Sequence, residues 1–218
     1  MEVKLRNERK RMRVLIINTQ SVNHNNATGV TLRSILREYP PDDILELYMQ
    51  PCVRAEDALP IRSIQLKFRE IPIRTIANRF FGKSAGSVSA PPTGAAPSFQ
   101  SKLKSRLAMS VDFEKVFLSG RIGKMVAEFN PGCIYTLGNA VDAMKYACAV
   151  SDRYGLHILP HFMDNWQESH RYGKNKYPMH LRSTQKWLRK MYEKSVCALA
   201  ISERMAQEYE KRWNIHHY

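Results

Sequence analysis

The chain has 218 residues, 44% hydrophobic and 10% aromatic, a composition that belongs to globular proteins and sets aside a disordered segment. Its 34 Lys and Arg against 20 Asp and Glu give a formal net charge of +14, a balance that suits a polyanionic neighbour such as nucleic acid or an anionic membrane surface. No apolar run reaches the roughly 18 residues a spanning helix needs, and the charged opening MEVKLRNERKRMR lacks the apolar stretch of a secretory signal.

The first element is Arg13-Val14-Leu15-Ile16-Ile17-Asn18, a continuous apolar run of the kind found in strands buried on both faces. The polar loop TQSVNHNNATGV follows. Thr31 to Leu36 reads as helix, with Leu32, Ile35 and Leu36 on one side, stopped by Pro40-Pro41. Ile44 to Met49 reads as a second strand, so the chain opens β-loop-α-β and predicts a parallel sheet. From residue 50 to residue 81 neither a period of 2 nor one of 3.6 stands out. Residues 82–98, GKSAGSVSAPPTGAAPS, bury almost nothing and are expected to form a mobile loop inside one domain.

Periodicity returns at Asp112 to Phe129, expected as helix, with Pro131-Gly132 as its break. Cys133 to Thr136 is a strand. Asn139 to Tyr154 is a helix with Ala140, Ala143, Met144 and Ala147 on one face and Gly155 at its C-terminal cap. Leu156 to His161 is a strand, and Met179 to Val196 a basic amphipathic helix. Cys197 to Ile201 is a further strand, and Ser202 caps a last helix in which Met205, Tyr209 and Trp213 recur. The four cysteines (Cys52, Cys133, Cys148, Cys197) have no C-x-x-C pair, and are expected as reduced thiols of a cytosolic protein. The whole predicts one Rossmann-like, doubly wound α/β domain over residues 1–218, with a mostly parallel sheet of six to seven strands.

In such sheets ligands bind beyond the carboxyl ends of the strands. Four strand ends here carry polar or glycine-containing segments: TQSVNHNNATGVTL, LGNAVD, HFMDNW and SERM. The first has a single glycine, Gly29, where a dinucleotide fingerprint needs three, and it has no G-K-[ST]. Thr28, Gly29 and the amides after them nevertheless suit an anion at a helix N-terminus. Trp166 reads equally as a sugar-stacking ring or as a loop anchor.

Three stretches carry a resemblance: RVLIINTQSVNHNNATGVTLRSIL, FNPGCIYTLGNAVDAMKYACAVSDRYGLHILPHFMDNW, and ALAISERMAQEYEKRW. In order and spacing the chain resembles the N-terminal half of GT-B glycosyltransferases of the family-4 type. The resemblance implies transfer of a sugar from a nucleotide sugar to a saccharide or lipid-linked acceptor, in envelope or polysaccharide synthesis. It implies Asp164 and His161 as catalytic groups, with Met163 where the family often has His. It implies Thr28, Gly29, Ser202 and Glu203 against the donor, and Gly138, Asn139, Asn165 and Trp166 against substrate. No metal or cofactor is expected, in keeping with the lack of a D-x-D motif. The chain ends at NIHHY, about where the first domain of such an enzyme ends. The donor-binding domain is therefore expected to be absent and the chain alone inactive. Basic residues between 61 and 106, interleaved with Ile, Leu and Phe, suit peripheral contact with an anionic inner membrane face or simply a solvated surface. No nucleic-acid recognition signature accompanies the charge. Other readings of the same pattern are a non-catalytic Rossmann-like binding module and a basic nucleic-acid-binding protein.

Overall fold

A computed structural model describes residues 12–71, 116, 118–164 and 178–213 of the chain. In chain order the elements are β1 (Val14–Asn18), α1 (Ala27–Leu36), β2 (Ile44–Tyr48), β3 (Arg62–Gln65), α2 (Gly120–Phe129), β4 (Cys133–Thr136), α3 (Val141–Tyr154), β5 (His157–Phe162), α4 (Pro178–Glu193), β6 (Leu199–Ala200) and α5 (Glu203–Trp213). The strands form one sheet in the order β3-β2-β1-β4-β5-β6, every neighbouring pair parallel. The fold is α/β, Rossmann-like and doubly wound.

Both faces of the sheet are buried, and alternate residues of one strand serve different cores. Leu15 and Ile17 join Leu45, Leu47, Ile134 and Ile158 on one face, beneath Val126 of α2, Met144 of α3, Leu188 of α4 and Tyr209 of α5. Ile16 joins Ile44 and Tyr135 on the other, beneath Leu32 and Leu36 of α1. That is why the strands read as unbroken apolar runs rather than alternating ones. Each fully buried Leu or Ile contributes about 1.5–3 kcal/mol relative to exposure, so this pattern fixes the strand register.

Helix ends follow local chemistry. Asn26 caps α1, its side chain accepting from the Gly29 amide, and Ser119 caps α2 by accepting from Ile122 N. Gly155 closes α3 in the left-handed conformation, φ 66°, with its N–H on Ser151 O, as its position after the helix predicts. Three differences from the sequence reading stand out among smaller shifts of element ends. α1 starts at Ala27, four residues before Thr31, because the first turn is capped by Asn26 and carries no apolar period. α2 starts at Gly120, with Ser119 extended as its cap. β3, in the stretch without a legible period, is an edge strand that among the described residues pairs with β2 alone. The expectation of a mobile loop at 82–98 lies outside the described residues, as do the basic positions from Arg74 to Arg106; Arg62, Lys67 and Arg69 are exposed.

Crossover β3→β4 is tied at its base by a buried carboxylate. Glu70 accepts from Lys67 N (2.7 Å), Ser119 Oγ (2.6 Å), and Arg121 Nε and Nη2 (3.1 and 2.5 Å). The Tyr146 hydroxyl of α3 donates to the Glu70 carbonyl. Residues 70 and 119–121 are thereby held together on either side of the intervening chain.

Candidate functional site at the switch point of the sheet

β1 lies at the centre of the sheet, with β2 on one side and β4 on the other. The chain leaves β1 for α1 on one face and leaves β4 for α3 on the opposite face, so the two connections part at the carboxyl ends of β1 and β4. Asn18, the last residue of β1, spans the parting strands: its Oδ1 accepts from Leu137 N at 2.9 Å. Its Nδ2 is buried and has no hydrogen-bond partner among the described residues.

The loop after β1 is wired in place from three directions. Glu46, fully buried in β2, accepts from Ser21 Oγ (2.8 Å) and Val22 N (2.6 Å). Burial holds the Glu46 carboxyl above its usual range, against the lowering effect of those bonds and one from Ser63. Arg33 of α1, 3% exposed, donates to the carbonyls of Val22 (3.1 Å) and His24 (3.0 Å) and pairs with Asp57 at 2.8 Å. Asn23 exchanges two bonds with Leu59, at 3.0 and 2.7 Å. Gly29 completes the loop. A Cβ there would stand 2.0 Å from the His24 carbonyl oxygen, so the glycine lets the loop lie against the first turn of α1. Its amide is already engaged by Asn26 Oδ1 at 2.8 Å.

Between this loop, the start of α3 and the turn after β2 lies a cleft of about 260 Å³, lined by Thr19, Gln20, Ser21, Asn26, Thr28, Gln50, Leu137, Asn139 and Ala140. Of the nine described residues that line it, seven carry neutral hydrogen-bonding side chains and none is charged. Ala140 stands at the N-cap of α3 and supplies no side-chain cap bond, and Asp142 lies in the first turn of that helix. Fixed amides, hydroxyls and helix N–H groups around a concave space recognise the oxygens of a polar ligand without bringing a charge of their own.

Of the sequence-derived candidates, Thr28 and Asn139 line this cleft. Gly29 lies behind it as packing for the loop. Gly138 is buried beside it at φ 59°, where a Cβ would meet Met191 Cε at 2.9 Å. His161 lies on β5 at the same edge but is 8% exposed, and its Nδ1 is 2.6 Å from Tyr135 Oη. Burial lowers the His161 pKa and raises that of Tyr135, so the two are a neutral pair in the sheet's α1-side face. Asp164 is exposed two residues past β5. Ser202 caps α5, accepting from Met205 N at 3.3 Å, and Glu203 is exposed and bonded to Gln207. None of these four lines the cleft. Asn165 and Trp166 lie outside the described residues. Gln20 and Gln50 were missed. The parallel register pairs Asn18 with Tyr48, so residues two past each partner emerge side by side, a signal available once β1 and β2 are paired.

A second cavity, about 300 Å³, lies along α3 and α4, lined by Val116, Leu118, Lys145, Ala149, Asp152, Arg153, Trp187 and Lys190. Its carboxylate among the described residues, Asp152, is taken by Lys190 at 2.8 Å and by Lys194. It is removed from the strand ends, and the switch-point cleft is the better candidate because the sheet's topology builds it. All four cysteines are free thiols, Cys133 and Cys148 buried, and among the described residues no helix is long and apolar enough to cross a membrane. The chain matches no protein-family model, and a search of curated proteins gives no match.

Proposed function

We propose that this chain is the acceptor-side, Rossmann-like half of a GT-B glycosyltransferase, and that the switch-point cleft is where it meets its substrates. The reaction is transfer of a sugar from a nucleotide sugar to a saccharide or lipid-linked acceptor. The observation that carries the reading is the cleft between β1 and β4: a preformed hydrogen-bonding concavity, uncharged among the described residues, whose β1 loop is locked by Glu46, Arg33 and Asn23 before any ligand arrives. Such a site is suited to orienting a hydroxylated substrate, since little ordering remains to be done on binding.

On this reading Thr28 and Asn139 contact substrate directly. Gly29 and Gly138 shape the backbone around it, and His161 and Tyr135 support the sheet. Asp164, Ser202 and Glu203 lie along the same edge, where a donor-binding domain would close over them. A closed cleft of that kind excludes water from the reacting centre. The net charge of +14 supports contact with an anionic membrane face through exposed Arg62, Lys67 and Arg69.

A thermal-shift panel of uridine, guanosine, adenosine and thymidine diphosphate sugars tests the proposal. At a ligand concentration of 100 times Kd, linkage gives about 2.7 kcal/mol of stabilisation, or roughly 5–10 °C in a chain of this size. At least one nucleotide sugar should stabilise the protein, and Thr28→Val with Asn139→Ala should abolish the shift. A shift that survives both substitutions contradicts the proposal, as does a chain stabilised neither by any nucleotide sugar of the panel nor by neutral saccharide acceptors.

A further inference from the structure

The side-chain amides of the cleft form a chain whose direction is set by the backbone. Gly29 N–H can only donate, and it donates to Asn26 Oδ1 at 2.8 Å. The other end of the Asn26 amide is therefore its NH2, which donates to Gln20 Oε1 at 2.8 Å. That fixes Gln20 in turn: its NH2 donates to Gln50 Oε1, at 3.4 Å the longest link. Each amide in the chain can be turned over in isolation, but the N–H at its origin allows only one orientation for all three. Gln50 ends the chain with its Nε2 engaged by none of the described residues, and Gln50 lines the cleft.

From this ordering we propose that Gln50 sets the hydrogen-bond polarity of the cleft, so that the ligand group it meets is an acceptor-only, anionic oxygen. A hydroxyl both donates and accepts and gains nothing special from a donor; a phosphate or carboxylate oxygen only accepts. Among the described residues no cation lines the cleft, so donor geometry there takes the place of charge pairing. The inference rests on the cleft being the ligand site of the proposed transferase. It narrows that reading: the part of the substrate seated at Gln50 is its phosphoryl or carboxylate oxygen, and the sugar hydroxyls lie elsewhere along the groove.

Gln50→Glu is the decisive variant. A carboxylate still accepts from Gln20 Nε2, so the chain of amides is kept, but the donor is replaced by a negative charge. Binding of uridine diphosphate, inorganic pyrophosphate, malonate and a neutral disaccharide would be measured by calorimetry on the whole chain. Gln50→Met, which removes donor and acceptor together, serves as the second variant. The proposal expects Gln50→Glu to weaken the anionic probes by about tenfold or more, since two like charges at contact distance repel strongly away from bulk water. It expects Gln50→Met to weaken them less, and the melting temperature to hold in both. Pyrophosphate bound more tightly than malonate assigns the oxygen to a phosphoryl group, and the reverse order assigns it to a carboxylate. Unchanged anion binding in Gln50→Glu overturns the polarity assignment and leaves the transferase reading standing, as does binding of the disaccharide alone. Failure of every probe to bind overturns both.

Discussion

Replacing Glu70 by Gln tests whether the tie at the base of the β3→β4 crossover stabilises the fold through charge. Burial by itself would raise the Glu70 pKa, but hydrogen bonds from Arg121, Ser119 Oγ and Lys67 N outweigh it and lower the value from 4.5 to about 2. A displacement of that size corresponds to about 3 kcal/mol between the charged and neutral carboxyl at pH 7. Arg121 is 35% exposed, so the freed guanidinium regains water and the loss should fall nearer 2 kcal/mol. In a chain of this length that is a drop of roughly 4–8 °C in melting temperature. The sign with pH is fixed. A carboxyl with a lowered folded pKa contributes its stability above 4.5 and loses it as pH falls through about 2. The gap between wild type and Glu70→Gln, followed by circular dichroism, should be full at pH 7 and shrink steadily below pH 4.5. Equal melting temperatures at pH 7, or a gap that acid does not close, would refute the reasoning.

Other substitutions probe the site more directly. Gly29→Ala should destabilise the chain by about 1–3 kcal/mol in urea denaturation, because the added methyl meets the His24 carbonyl at 2.0 Å and the gain of about 1 kcal/mol in helix propensity cannot offset a displaced loop. His161→Gln should flatten the acid side of the stability profile. The wild-type histidine has a lowered folded pKa, so its contribution is complete above 6.5 and is lost as pH falls below it; an unchanged profile would mean that burial does not shift His161. Asp164→Asn should leave the melting temperature unaltered, since the carboxylate is exposed beyond β5. A loss of nucleotide-sugar affinity as large as that of Asn139→Ala would move the site toward β5.

What the sequence made legible follows from burial. β1, β2, β4 and β5 are covered on both faces and announce themselves as apolar runs, and their alternation with helices sufficed for a parallel, doubly wound sheet. β3 reads RSIQ and is largely exposed, because an edge strand, held among the described residues by β2 alone, needs no apolar run. Glu46 interrupts the second strand as a charge in ILELYM and still sits fully buried, because the loop after β1 supplies its hydrogen bonds. At the site, the polar loop TQSVNHNNATG was visible, and so was its place at a strand end. Gly29 drew attention as an anion contact, whereas its missing Cβ makes room for the His24 carbonyl. The amide chain was not legible: Gln20 and Gln50 stand 30 residues apart in sequence, and only the register of β1 against β2 brings them together.

A crystal structure of the chain with whichever nucleotide sugar stabilises it most would test the central claim directly. The ligand should lie between the carboxyl ends of β1 and β4, in contact with Thr28 and Asn139 and with a phosphoryl oxygen at Gln50. A ligand seated instead in the cavity between α3 and α4, against Lys145 and Arg153, or at the β6–α5 end beside Ser202, would contradict it.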